Sequence, residues 1–156
     1  MPTRSIEEIL DELPTFSGLS EERLGLIAGC GRTGGFDPGE FLACEGDAAD
    51  SFFVIRRGKV ALEMPAPAEE LVIATLGEGA IVGWSWLVPP HQWSFDVRAL
   101  ESTRTIVFDG ACLRGKCEAD PALGYELMRR FAGIILDRLQ ATRLQLLDVY
   151  GKPGED

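Results

Sequence analysis

The first thirty or so residues place apolar side chains at helical spacing among acidic ones. Ser5 is followed by Glu8 in a capping-box pattern, and Pro14 ends the short helix that this pattern predicts. The apolar face of that helix consists of Ile6, Ile9, Leu10 and Leu13. Ser20 before two glutamates predicts the start of a second short helix.

From about residue 33 the apolar runs shorten and glycine becomes frequent. Turns are indicated at Asp37–Glu40 and at Glu45–Asp47. The runs between such turns are SFFVIRRG, VALEM, ELVIATL, SFDVRAL and TRTIVFD. About six to eight short strands at this spacing predict an antiparallel sandwich or barrel over residues of about 34–108.

The C-terminal third returns to a helical pattern, predicted over Ala111–Val149. Asp120 caps the longer of two helices, and Pro121 occupies its first position. This helix is about 42 Å long at 1.5 Å per residue, which is more than a domain of this size can cover. A heptad seam runs along it through Met128, Ala132, Ile135, Leu139, Thr142 and Leu146. We therefore predict a parallel homodimer through this seam.

Composition and charge indicate a single domain and argue against nucleic-acid-binding and membrane-spanning proteins. The chain of 156 residues predicts one domain, with N-terminal helices over 1–32, a β body over 33–109 and C-terminal helices over 110–150. A net charge of −10 argues against non-specific nucleic-acid binding, which needs a basic field. No apolar run is long enough for a membrane span, and the N-terminus lacks the apolar core of a signal peptide. We expect a cytoplasmic protein without a membrane partner.

The sequence contains no catalytic or metal-binding motif, so we expect neither an enzyme nor a metal site. His91 is the single histidine and has no nucleophile or zinc ligand near it in the chain. The cysteines form no C-x-x-C pair: they are Cys30, Cys44, Cys112 and Cys117. We expect them to be small, half-buried side chains in a reducing compartment.

One segment, Ile81–Ala99, stands apart by its aromatic content. It contains all three tryptophans, Trp84, Trp86 and Trp93, together with His91 and a Pro-Pro pair. Such a cluster fits a ligand pocket, a filled pocket or an adhesive surface.

A further set of residues occurs along the chain in a characteristic order. They are Phe36, Gly39–Glu40, Glu45–Asp47, Gly58 at the end of FFVIRRGKV, Leu76–Gly77, Gly83 and Val97–Ala99. This ordered set resembles the cyclic-nucleotide-binding domain of the catabolite-activator family over residues of about 5–150. The resemblance implies an α+β fold, in which an antiparallel double-stranded β-helix (a jelly-roll-like β-roll) is flanked by N-terminal helices and a long C-terminal helix. Transcription factors of the family continue into a winged helix-turn-helix, which this chain is expected to lack, so we expect no direct DNA binding.

The resemblance also implies a ligand cassette after Gly83. In the family a glutamate there binds the ribose, and an arginine followed by serine or threonine binds the cyclic phosphate. The matching positions here are Trp84, Trp93 and Ser94. The predicted cassette comprises Gly83, Trp84, Ser85, Trp93, Ser94 and Arg98. An arginine fork matches phosphate geometry, so replacing it with indole is a drastic change.

Four interpretations of the cassette remain open on sequence alone. The indoles fill the nucleotide's volume. Alternatively the pocket takes a different, apolar or flat ligand, with polar contacts from Ser85, His91, Gln92 or Ser94. In a third interpretation Arg98 replaces the lost arginine and cyclic nucleotide still binds. The fourth is a haem ligated by His91.

We therefore predict a non-enzymatic regulatory or sensor module with a degenerate cassette and no cofactor. The alternatives are a cyclic-nucleotide receptor that acts on a partner protein, and an interaction scaffold without a small ligand.

Overall fold

The computed structural model describes residues 4–64 and 71–150, without the side chains of residues 71 and 148–150. The helices are α1 (Ile6–Glu12), α2 (Glu21–Ala28), α3 (Gly110–Ala119) and α4 (Pro121–Tyr150). The strands are β1 (Gly31–Phe36), β2 (Phe41–Ala43), β3 (Ser51–Arg57), β4 (Val60–Met64), β5 (Leu71–Leu76), β6 (Ile81–Val82), β7 (Asp96–Ala99) and β8 (Thr103–Asp109).

The two N-terminal helices begin where the capping patterns predicted. The Glu8 amide donates to Ser5 Oγ at 3.1 Å, and the Glu8 carboxylate accepts in return from the Ser5 backbone amide. Ser20 accepts from the Arg23 amide at 3.2 Å. Each cap satisfies an amide at the helix start that has no partner within the helix.

The strands form two antiparallel sheets, in the orders β1-β8-β3-β6 and β2-β7-β4-β5. The chain crosses repeatedly between the sheets, and with the flanking helices this confirms the predicted α+β fold with a β-roll. Gly58, at the turn between β3 and β4, has φ +102°, and a Cβ there would lie 2.6 Å from the Ser102 carbonyl oxygen. Only glycine tolerates both the positive φ and the close carbonyl oxygen, which explains why a glycine ends this strand.

Two apolar cores hold the roll together. One lies inside the roll and includes Phe53, Ile55, Val97 and Trp93. The other joins the roll to all four helices around a ring stack in which Phe52 lies 4.7 Å from Phe108. Burial of these aromatic rings, together with the aliphatic residues around them, holds the helices on the sheet.

Helix α4 divides into two halves by what it covers. Leu123, Leu127 and Phe131 in its first half are fully buried against the roll. Its second half extends past that core and passes the edge strand β5, where Gln145 Nε2 donates to the Ile73 carbonyl oxygen at 2.7 Å. None of the helices in the described part of the chain is long and apolar enough to cross a membrane.

The expectation of four reduced cysteines is wrong for one pair. Cys30, just before β1, and Cys112 in α3 form a disulfide across 82 positions of sequence. No short sequence motif predicts this pairing, because the two cysteines come together only when the fold places the end of α2 beside α3. Cys44 and Cys117 are free thiols.

Candidate functional site

The cassette segment between β6 and β7 contains no helix in the described structure. It leaves β6 at Gly83 and makes a turn closed by the Leu87 amide, which donates to the Trp84 carbonyl oxygen at 3.0 Å. Further on, the Pro89-Pro90 bond is cis and His91 has φ +57°. The segment is therefore an ordered loop rather than a short phosphate-facing helix.

Backbone hydrogen bonds fix the end of this loop to the turn before β3. The Gly46 amide donates to the Trp93 carbonyl oxygen, and the Trp93 amide donates to that of Asp47, both at 2.9 Å. The Ala49 amide donates to the His91 carbonyl oxygen at 2.8 Å. Trp93 consequently has a fixed backbone position at the mouth of the roll.

The Trp93 indole lies inside the roll and is only 5% exposed. Its ring centroid is 6.1 Å from that of Phe53 and 6.2 Å from that of Phe95. Gly83 lies directly against it, since a Cβ on Gly83 would come within 2.6 Å of the indole ring. Trp93 thus occupies core volume at the position that the resemblance assigns to the phosphate-binding arginine.

Trp86 belongs to the core between the roll and the helices, and it does not line the groove described below. It is fully buried, stacks on Phe52 at 5.0 Å and meets Phe131 of α4 edge-on at 5.3 Å. Its Nε1 is buried without a hydrogen-bond partner in the described structure. This tryptophan joins the cassette loop to the helices.

Trp84 has a third environment. It is partly buried, contacts both cores and meets the Phe95 ring edge-on at 5.6 Å. Its remaining surface faces a groove, so of the three indoles only Trp84 is placed to touch a ligand there.

This groove of about 680 Å³ lies between β4, β5, the cassette loop and the second half of α4. Its lining residues are Leu62, Met64, Val72, Ile73, Trp84, Ser94, Phe95, Arg138, Thr142, Gln145 and Leu146. The volume is in the range of sites for small organic ligands. We refer to this site as the α4 groove.

The polar groups of the α4 groove come mainly from the helix. Arg138, Thr142 and Gln145 lie one helical turn apart in succession, and Ser94 alone represents the cassette among them. Thr142 Oγ1 donates to the Arg138 carbonyl oxygen at 3.0 Å. The groove therefore has apolar walls and one polar side.

Arg98 is bound elsewhere. Its guanidinium pairs with both oxygens of Glu63, with Nε–Oε1 at 3.0 Å and Nη2–Oε2 at 2.6 Å. The Glu63 side chain is 1% exposed. Using Arg98 to bind a phosphate would require breaking this ion pair with a buried carboxylate, which is unfavourable.

The structure separates the six predicted cassette residues. Trp84 and Ser94 line the groove, Gly83 and Trp93 lie in the roll interior, Ser85 is buried, and Arg98 pairs with Glu63. His91 is not among the groove-lining residues, and the described residues contain no group of three or more histidine, cysteine or acidic side chains that could hold a metal ion.

The sequence prediction missed Arg138 and Gln145 as site residues. A signal for them exists, because the core-facing stripe of Leu127, Phe131 and the partly buried Ile134 continues with polar side chains at Arg138, Thr142 and Gln145. A polar continuation of a core-facing stripe indicates a cavity where the core ends.

Comparisons with known proteins agree with this architecture. The family model for the cyclic nucleotide-binding domain matches residues 35–120, more than half of the chain. A putative cyclic nucleotide-binding protein from Geobacter metallireducens GS-15 is 30% identical, with a TM-score of 0.79 over 88% of this chain and 99% of that one. A cyclic nucleotide-binding domain from Methylobacillus flagellatus KT is 23% identical, with a TM-score of 0.77 over 97% and 84%.

The catabolite activator protein of Thermus thermophilus shares the fold, with 22% identity and a TM-score of 0.68 over 85% of this chain and 61% of that one. The matched residues include the end of β1, all of β2 to β8, the cassette loop and α3. The chain belongs to the cyclic nucleotide-binding domain family.

Proposed function

We propose that this protein is a non-enzymatic regulatory module in which ligand recognition has moved from the cassette to the α4 groove. The observation that carries this proposal is the burial of Trp93 in the roll core, where the resemblance calls for a phosphate-binding arginine. An indole cannot donate a fork of hydrogen bonds to a phosphate.

The remaining cassette side chains support the same conclusion. Trp84 stands at the ribose-binding position and offers a ring face in place of a carboxylate. Arg98, the candidate replacement for the lost arginine, is held in its ion pair with Glu63. Of the predicted polar side chains, Ser94 lines the groove.

Cyclic nucleotides are therefore expected to bind weakly. Losing one charge-assisted hydrogen bond typically costs about 1.5–3 kcal/mol. Losing both anchors costs roughly 3–5 kcal/mol, or about two to four decades in affinity. Titration calorimetry with cyclic AMP and cyclic GMP should give dissociation constants weaker than about 100 µM.

A dissociation constant at or below the low micromolar range would contradict this proposal. It would favour the alternative of a cyclic-nucleotide receptor that acts on a partner protein, for which the groove volume and the position of Ser94 leave room. A scaffold without any small ligand is the remaining alternative, and binding of a small molecule in the groove would exclude it.

The state of the two free thiols is consistent with the non-enzymatic part of the proposal. Burial raises the pKa of the Cys117 thiol, and Asp120 raises it further. Burial and the neighbouring Asp96 also raise the pKa of Cys44. Neither thiol is thereby activated as a nucleophile at neutral pH.

The predicted homodimer is also part of this proposal. Along the seam Met128, Leu139 and Leu146 are about half exposed in the single chain, and Ala132 is exposed beside them. This exposed stripe lies to one side of the stripe that packs on the roll, so one helix can contact both its own roll and a second copy.

The proposal also covers the cellular location and nucleic-acid binding. The cytoplasmic location is proposed from the acidic N-terminal segment and the lack of a long apolar run, and the absence of direct nucleic-acid binding is proposed from the net charge of −10. The Cys30–Cys112 disulfide bears on the location, because cytosolic disulfides are rare outside transient or redox-sensing roles.

A further inference from the structure

Arg138 has an environment that differs from those of the other half-buried arginines. Its side chain lines the α4 groove, and its Nε is buried without a hydrogen-bond partner in the described structure. By contrast, Arg130 donates to the Thr15 and Ser17 carbonyl oxygens at 2.8 Å and pairs with Glu126. This chain usually satisfies its partly buried guanidinium groups, and Arg138 is an exception.

An unsatisfied guanidinium N–H in such a place costs about 1–3 kcal/mol. Among the described residues that line the groove, Arg138 is the one charged side chain, although the chain carries a net charge of −10. No carboxylate among those lining residues competes for it. The charge on the described lining is therefore positive, which suits an anionic acceptor that arrives from outside.

The rest of the groove defines the body of that acceptor. Trp84 and Phe95 present aromatic surface, and Leu62, Val72 and Ile73 extend the apolar wall. A ligand rich in hydroxyl groups would lose hydration against these walls without regaining hydrogen bonds. A flat apolar body is favoured because it can lie against the aromatic and aliphatic side chains of the groove.

We propose that the α4 groove binds an aromatic carboxylate, with the carboxylate on the Arg138 guanidinium and the ring system against Trp84 and Phe95. The planar guanidinium matches a carboxylate with two parallel hydrogen bonds. This inference deepens the function proposed above, since it names the ligand class of the same groove. Gln145, fixed on Ile73, holds the helix over the ligand.

Calorimetry with naphthalene-2-carboxylate and with the neutral, nearly isosteric naphthalene-2-carboxamide tests this proposal. The carboxylate is expected to bind at least about tenfold more tightly than the amide. Arg138→Gln should weaken carboxylate binding by about 10- to 100-fold and leave amide binding unchanged. Arg138→Lys, which keeps the charge but not the fork, should give an intermediate loss.

Arg143→Gln is the matched control, because it removes the same charge from an exposed position of the same helix. It should leave both affinities unchanged, and thermal unfolding should show that all three variants are folded. Equal binding of acid and amide, an Arg138→Gln variant that binds the acid as well as the parent does, or no binding of the acid would each overturn the proposal. These failures are separate from tight cyclic AMP binding, which would overturn the proposed function instead.

Discussion

Replacing both Leu139 and Leu146 with aspartate is expected to convert the protein from a dimer to a monomer. The two leucines are 53% and 52% exposed in the single chain and lie seven residues apart on the heptad seam. Two-fold symmetry removes four leucine side chains from the interface, each worth about 1.5–3 kcal/mol when fully buried. Because each leucine is already about half buried in the single chain, the dissociation constant should rise by about two decades or more.

Light scattering at tens of micromolar protein measures this result, and the chain contains its own control. Leu144 and Leu147 are each 64% exposed and lie on the same helix, away from the seam. Aspartate at both of these positions adds the same charge and should leave the dimer intact. A monomeric parent protein, or a Leu139→Asp/Leu146→Asp variant that stays dimeric, would show that α4 is not the interface.

The second large effect is expected on stability when Trp93 is replaced with arginine. This change restores the residue that the resemblance assigns to the position, but it places a guanidinium among Phe53, Phe95 and Gly83 in the roll core. Loss of the buried indole and burial of an unpaired charge together should cost about 4 kcal/mol or more. Urea unfolding followed by circular dichroism measures the change.

Two variants make that experiment selective. Trp93→Phe keeps the site apolar and should cost much less than Trp93→Arg. Trp84→Glu restores the other family residue at a partly exposed position on the groove wall, and should also remain folded. A stable Trp93→Arg variant with gained affinity for cyclic AMP would show that Trp93 lines an open cassette, contrary to this account.

The strands, caps and long helix followed from local chemistry that the sequence displays. Ser5 with Glu8 announces a helix start by itself, and each apolar run of the roll is bounded by its own turn residues. The fold class was predictable because these local signals all agree with one architecture.

The site was only partly predictable, since its chemistry depends on contacts between distant segments. Nothing in the sequence near Arg98 shows that Glu63 on a neighbouring strand holds it, or that Trp93 turns inward under Gly83 while Trp84 faces the groove. Arg138 was not predicted because it flanks the heptad seam, and its place in the groove depends on contacts with β4, β5 and the cassette loop. The Cys30–Cys112 bond likewise depends on how α2 and α3 meet.

The three indole N–H resonances report whether ligand recognition has moved from the cassette to the α4 groove. Each tryptophan has a distinct environment, so ¹⁵N-labelled protein should give three indole signals, assigned by single Trp→Phe variants. We predict that naphthalene-2-carboxylate shifts the Trp84 signal saturably and leaves Trp86 and Trp93 in place, while cyclic AMP at about 100 µM shifts none. A saturable shift of Trp84 or Trp93 by cyclic AMP at low micromolar concentration would contradict the account.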